Sequence, residues 1–337
     1  MEVTASLREK ALLILAEIKK AKSILLHCHP SPDPDSVGSA LAMKFAVEQL
    51  GKKATVIRGD SQFPKGFGHF PGANDIVNQN FFETDLSKYD LFIILDSARK
   101  EMISRRGQVE FPGTMMTIVI DHHQSNSQFA KINLIEPSYP ANCLLLYDIF
   151  KLWSIRMTPE IAANLFIGSY SDTGGFKYAG VGPEAYATIA ELVRYIPNVS
   201  KLITTMENSN TREFLVFDAA ALSSIAVYGH GRLAISTVPL SFIKDKNISM
   251  SDVRTNEVSS FMLTVAAWDV VAAAVEIEPN VIKFSFRSKD PDKFDVARLA
   301  QELGGGGHKA AAGLILNASM TEAIKKVVEK AEELYNL

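Results

Sequence analysis

The sequence predicts an α/β protein: a doubly wound, mainly parallel sheet domain followed by a smaller C-terminal α/β domain. Three observations predict it. Short, almost wholly apolar runs ("SILLHCH", "DLFIILDSA", "MTIVIDHHQ") alternate with stretches of helical length, as expected of strands buried on both faces. Each of these runs ends in His or Asp, at the carboxyl edge where open α/β sheets bind their ligands. Beyond about residue 210 the pattern changes to strands joined by a hairpin, marking a second domain.

The elements follow in order. Leu7 to about Lys20 reads as a helix, with Ser6 and Glu9 as a capping box and Leu12, Leu13, Leu15, Ala16 and Ile18 at helical spacing. "SILLHCH" is a strand. "HPSPDPDSVGS" reads as a loop stiffened by its prolines, with Gly38 easing the turn into the helix "GSALAMKFAVEQLG", which Gly51 closes. "ATVIRGD", "DLFIILDSA" and "MTIVIDHHQ" are strands. "ANCLLLYDIFKLW" and "TPEIAANLFIGSYSD" are helices, the second capped by Thr158 with Pro159 at its first position. The domains are therefore placed at 1–190 and 211–337, joined by a helical linker over 191–210. In the second domain "RLAISTVP" is a strand and "VVAAAVEIEPNVIKFSFRSK" a hairpin turning at Pro279-Asn280. "FDVARLAQELGGGGHKAAAGLIL" reads as helix, glycine run and strand, and Ser319 with Glu322 caps a final helix.

Composition narrows the function. A formal charge of −3 over 337 residues supplies no strongly basic surface for long nucleic acid. Short anionic ligands stay open, since a bound cation can supply the positive charge. Two cysteines, Cys28 and Cys143, make neither a disulfide framework nor a zinc–thiolate cluster, which points to the reducing cytoplasm. No leader-like apolar stretch opens the sequence, and no run approaches the ~20 apolar residues of a membrane span.

Four segments carry candidate ligands: His29, Asp33 and Asp35; Asp96; Asp121, His122 and His123; and Asp172 in "SDTGGF". Carboxylate and imidazole without thiolate suit manganese or magnesium, with iron or cobalt as alternatives. His29, Asp33, Asp35, Asp96, His122 and Asp172 are too many donors for one ion with open positions. Two divalent ions sharing a bridging carboxylate fit better. Singly, these residues could be a turn, a helix cap or a satisfied polar pair; their convergence on one sheet edge favours metal. His27 lies deeper in its strand and reads as a hydrogen-bonded core residue. In the second domain Ile282, Phe284 and Phe286 form the core side of a strand, leaving Lys283, Ser285 and Arg287 on the other. Arg287 could grip a phosphate there, and the run from Gly304 with His308 and Lys309 offers backbone that a ligand can approach closely. A solvated strand end and a flexible helix cap are the plainer alternatives.

With these stretches in view, the chain resembles the DHH phosphoesterase family with a C-terminal DHH-associated domain. "HPSPDPDSVGS", "ILDSA", "IDHHQSN" and "SDTGGF" match its four N-terminal motifs, and "FSFRSK" and "GGGGHKAAAG" match the C-terminal domain. The resemblance implies a two-manganese phosphoesterase with its active site in the interdomain cleft. His29, Asp33 and Asp96 would hold one ion, and Asp35, Asp96, His122 and Asp172 the other. His123 would contact the scissile phosphate or transfer a proton, and Asp121 would orient a neighbouring histidine. Arg287, Gly305, Gly306, Gly307 and His308 would bind the far end of the substrate. The layout is most similar to the nanoRNase branch, which shortens 5′-phosphorylated oligonucleotides to mononucleotides and dephosphorylates 3′-phosphoadenosine 5′-phosphate (pAp). The alternatives are a phosphodiesterase for cyclic or linear dinucleotides (c-di-AMP, pApA), a RecJ-like exonuclease on single-stranded DNA, and a nucleotide sensor without turnover. The expected substrates are thus short single-stranded RNA or DNA, pAp or dinucleotides, and a homodimer is compatible with this expectation.

Overall fold

A computed structural model describes residues 3–61, 65–178, 180–208 and 210–337. The chain divides into two units, 1–209 and 210–337. The first is built on five parallel strands: β1 (Ile24–His27), β2 (Ala54–Ile57), β3 (Leu91–Leu95), β4 (Met116–Asp121) and β5 (Ile132–Ile135), in the order β2-β1-β3-β4-β5. The connections reverse direction between β1 and β3, the position at which such sheets open a crevice. β5 was not expected; it is an edge strand with one fully buried residue, and Asn133 interrupts the apolar run that would have marked it.

Side-chain alternation along the strands serves two cores. Ile24, Leu26, Ile93, Leu95, Ile118 and Ile120 pack with the helices α1 (Ala5–Lys20), α2 (Pro34–Gln49), α3 (Asn142–Leu152), α4 (Pro159–Asp172) and α5 (Pro183–Val193). Leu25, Phe92, Ile94 and Val119 face a smaller core of Phe81, Ile103 and Val109. Residues 191–208, expected as part of a linker, instead complete the first unit. Leu192 and Ile196 are buried in its main core, and α6 (Val199–Glu207) packs Leu202 and Met206 against it. Residue 209 lies outside the described residues.

Two helix starts differ from expectation. α1 begins at Ala5, where Thr4 accepts the Leu7 N–H, so Ser6 and Glu9 are not its cap. Its buried stripe is Leu7, Ala11, Ile14 and Ile18, leaving Leu12 and Leu13 exposed. α2 begins at Pro34, inside the stretch expected as a loop. Asp33 is its N-cap, accepting the Ser36 N–H at 2.8 Å, and proline at the first position loses no helix bond. Gly38 is therefore not a turn residue. A Cβ there would lie 2.5 Å from the Asn164 carbonyl oxygen of α4, and one on Gly168 would lie 2.3 Å from Cys143 Sγ and 2.8 Å from Asp35 Oδ1. The two helices pack backbone against backbone.

The second unit carries a mixed sheet of β6 (Ala226–Tyr228), β7 (Leu233–Val238), β8 (Val270–Glu278), β9 (Val281–Ser288), β10 (Gly306–His308) and β11 (Ala311–Asn317), ordered β10-β11-β9-β8-β7-β6. β7 and β8 run parallel; the other pairs are antiparallel. One face packs Phe284 and Phe286 under α10 (Val296–Glu302) and α11 (Met320–Tyr335), whose Ser319–Glu322 capping box forms as expected. The other packs Ala273 and Val275 with α7 (Arg212–Ser223), α8 (Leu240–Asp245) and α9 (Thr255–Met262).

Two stability predictions follow from this packing. Gly168→Ala is expected to cost about 1–3 kcal/mol by overpacking against Cys143 of α3 and Asp35 of α2, read as a lower midpoint in urea unfolding. On α7, Asp218 has a buried oxygen, Oδ1, without a hydrogen-bond partner among the described residues. Burial, and then the Glu257 charge, push its pKa up to about 6. A carboxyl raised in the folded state favours folding at low pH and loses that contribution as pH rises through the folded pKa. Asp218→Asn should therefore raise the melting temperature at pH 8 by about 3 °C, with the gain vanishing near pH ~4.

Candidate metal centre

Every expected ligand of the first unit arrives at the carboxyl edge of β1, β3 and β4 or on the helices beside it. His29 follows β1, Asp33 and Asp35 open α2, Asp96 follows β3, Asp121 ends β4 with His122 and His123 after it, and Asp172 ends α4. Donor atoms of His29, Asp33 and Asp96 lie within 4.8 Å of one another, as do those of Asp35, His122 and Asp172, and those of Asp96, His122 and His123. Asp96 stands between the groups. Its Oδ2 is 3.6 Å from His29 Nε2, while Oδ1 is 3.3 Å from His122 Nε2 and 3.7 Å from His123 Nδ1. Its backbone sits in the left-handed region at φ 55°, which Asp tolerates better than most residues, and its carbonyl accepts from or faces the His29 ring.

Several of these side chains are held from behind. The carboxylate of Asp35 receives two backbone N–H groups from the start of α3, Asn142 at 2.7 Å on Oδ2 and Cys143 at 3.0 Å on Oδ1. That helix has Ala141 at its N-cap and no capping side chain, so a carboxylate from α2 takes the cap's place. His122 Nδ1 pairs with the Tyr139 carbonyl at 3.1 Å, which turns Nε2 toward Asp96 and Asp172. Asp121 is fully buried; it accepts from the His122 N–H at 2.9 Å and from Asn126 Nδ2 at 2.6 Å, and meets His123 Nδ1 at 2.7 Å. Asn126 and the start of α3 were not singled out from the sequence. Asn126 falls inside "IDHHQSN", and the poor cap at Ala141 is the one local sign that α3 needs an outside acceptor.

The electrostatics fit a cation site. Burial, and then the neighbouring Asp35 charge, hold the Asp96 carboxyl well above the usual range and lift Asp172 to about 7. Burial opposes an imidazolium at His29, but Asp33 and Asp96 outweigh it and raise its pKa to about 9. For Asp33 desolvation works against the charge, yet His29 beside it holds the carboxyl low. Asp96 Oδ1 is buried without a hydrogen-bond partner among the described residues. An orphaned carboxylate oxygen between two groups of imidazole and carboxylate donors is the chemistry that divalent ions satisfy. His27 is a core residue, as expected: burial, and then His29, lower its pKa to about 3, and its Nδ1 faces the Cys28 carbonyl at 3.1 Å.

In the second unit Arg287 is half-buried near the end of β9, donating from Nη1 to the Phe286 carbonyl at 2.9 Å. The strand face it shares is not open as expected. Ser285 is 2% exposed beneath α9, and of the three only Lys283 is exposed. The glycine run divides. Gly304 at φ 88° ends α10, and Gly305 and Gly307 admit β11, since Cβ atoms there would lie 2.3 Å from the Gly313 oxygen and 2.5 Å from Ala312 Cα. Gly306 alone of Gly305, Gly306 and Gly307 has open space where a Cβ would stand, and His308 is exposed at the end of β10.

Comparison with known proteins agrees with this layout. Residues 23–169 match the DHH family N-terminal domain and residues 231–336 the DHHA1 domain. A Thermus thermophilus protein named bifunctional oligoribonuclease and PAP phosphatase NrnA is 27% identical over 326 residues, covering 95% of this chain and 93% of its own. A Bacillus subtilis protein of the same name is 20% identical over 305 residues, covering 89% and 91%. Among solved structures, an exopolyphosphatase-related protein from Bacteroides fragilis superposes with a TM-score of 0.89 at 24% identity, covering 100% of this chain and 98% of that one. RecJ from Thermus thermophilus in complex with Mn2+ gives 0.59 at 16% identity, covering 98% of this chain and 56% of that one. Both domain models, matched in order onto the two units, place the chain in the DHH phosphoesterase family, as a metal-dependent phosphoesterase that joins a DHH domain to a DHHA1 domain.

Proposed function

We propose that the protein hydrolyses short 5′-phosphorylated oligonucleotides to mononucleotides and dephosphorylates pAp, using two divalent ions, manganese first among them. The observation that carries this reading is the placement of Asp96, buried between two donor groups with each oxygen turned toward a different one. His29, Asp33 and Asp96 would hold one ion, and Asp35, Asp96, His122 and Asp172 the other. Such a pair of ions neutralises a phosphoryl group and activates water for in-line attack. The names carried by the two curated relatives support the substrate class. Cytosolic residence belongs to the same reading, supported by two buried, unpaired thiols.

The chain's own residues supply the rest. The Asp121 carboxyl is held below the usual range: burial opposes this, but the hydrogen bond from His123 outweighs it. An ionised carboxylate can only accept, so His123 carries its proton on Nδ1 and Nε2 becomes the atom where a substrate proton is held or released. Asn126 keeps Asp121 aimed at that ring. In the second unit Arg287, His308 and the open backbone at Gly306 bind the substrate's remaining phosphate and nucleoside. The close-packed Gly305 and Gly307 shape that backbone.

The test is a panel of initial rates with manganese: pAp, 5′-phosphorylated RNA and DNA of two to about ten nucleotides, and cyclic di-AMP. Turnover of pAp and the shortest RNAs, lost in Asp96→Asn, is the expected result. Turnover of cyclic di-AMP or long DNA alone would overturn the substrate assignment, and metal binding with no turnover on any substrate would overturn the activity. For Asp121→Asn, kcat on pAp should fall about 10–100-fold with KM little changed and the pH–rate profile shifted. A wild-type profile would remove Asp121 from this role.

A further inference from the structure

Arg287 does not stand alone on its strand face. Alternation along β9 puts Ser285 beside it on the same side, buried beneath α9. A serine hydroxyl has one proton and two lone pairs. The Ser285 proton goes to Asn256 Oδ1, on α9, at 2.6 Å. Its oxygen faces Ser259 Oγ at 3.2 Å and accepts from Arg287 Nη1 at 3.4 Å. One buried oxygen thus fastens two side chains, the half-buried guanidinium and the exposed amide of Asn256.

The fastening determines which way the amide presents itself. With Oδ1 accepting from Ser285, the two N–H donors of Asn256 are left on the far side of the amide, one hydroxyl away from the Arg287 guanidinium. The neighbouring acid is occupied. Glu257 pairs with Arg254 at 3.2 Å, and Arg254 stacks on Phe214 at 4.5 Å. An exposed asparagine needs no buried hydroxyl to satisfy it, since water would serve. A buried hydroxyl shared with an arginine orients it.

We propose that Asn256 is a substrate-binding residue, donating from Nδ2 to the phosphate that Arg287 holds, and that Ser285 is the positioning residue for both. This rests on the reading that Arg287 binds substrate phosphate. It adds a neutral donor to that contact, so the phosphate is recognised by shape as well as by charge.

The experiment measures Kd for a non-hydrolysable phosphorothioate analogue of pAp, with manganese and the full-length chain, beside KM and kcat for pAp. Asn256→Ala should raise Kd and KM about 10-fold, with Asn256→Asp weaker still, while kcat changes less than about threefold. Ser285→Ala should weaken binding by a similar factor at an unchanged melting temperature, and Ser285→Thr, which restores the hydroxyl, should recover it. If both Asn256 variants bind like wild type while Arg287→Ala loses the analogue, the assignment of Asn256 is overturned and the function stands. If Ser285→Thr binds no better than Ser285→Ala, the positioning role is overturned. Analogue binding that depends on Asn256 in a protein that leaves pAp intact would overturn the activity and keep the assignment. A wild type that neither binds the analogue nor cleaves pAp overturns both.

Discussion

Four carboxylates, Asp33, Asp35, Asp96 and Asp172, converge on one edge of a parallel sheet with a fifth, Asp121, behind the histidines, and repulsion among the four is the constraint around which the first unit is arranged. Asp35, Asp96 and Asp121 are buried, and burying carboxylates costs several kcal/mol per ion unless each finds a counter-charge or hydrogen bonds. The fold answers one residue at a time. Asp33 caps its own helix and faces His29. Asp35 takes the N–H groups of a second helix, Asp121 takes Asn126 and His123, and Asp172 faces His122. Asp96 keeps one oxygen that no group among the described residues satisfies by hydrogen bonding, and this surplus suits the edge to a cation.

The same arrangement explains what could be read beforehand. Strands β1, β3 and β4 are buried on both faces, so apolar runs ending in His or Asp betray both the sheet and its ligand edge. The candidate ligands could be proposed beforehand because metal chemistry restricts side-chain types. Their supports could not. Backbone groups hold Asp35 and His122, and a backbone N–H or carbonyl has no letter of its own. The start of α2 was misplaced because proline and aspartate serve a turn and a helix N-terminus equally well, and the choice depends on what the following turn packs against. Residues 191–208 looked like a connection because they run into the polar stretch "MENSNTRE", yet Leu192 and Ile196 are buried in the first unit's core and Leu202 and Met206 pack against it.

In the second unit the sequence pattern separated the two faces of β9 correctly but misjudged what covers the second face. Helix α9 is short, and its buried residues Val258, Ser259 and Met262 include a polar one, so it carries little periodic signal. Yet it decides the chemistry of that face, since it turns Ser285 from a solvent-facing hydroxyl into a buried hinge-pin for Arg287. The glycine run shows a similar division between architecture and recognition: one glycine ends a helix, two let strands touch, and one leaves its surface clear.

The backbone contact between α2 and α4 has a consequence for the ions. Asp33 and Asp35 ride on the first helix and Asp172 on the second, and at Gly38 and Gly168 nothing softer than a carbonyl, a sulfur or a carboxylate separates the two. Side chains can change rotamer to absorb a shift; main chain in hard contact cannot. The distance between the helix segments that carry these carboxylates is therefore cut to one size by how α2 and α4 pack, whatever rotamers the side chains themselves adopt.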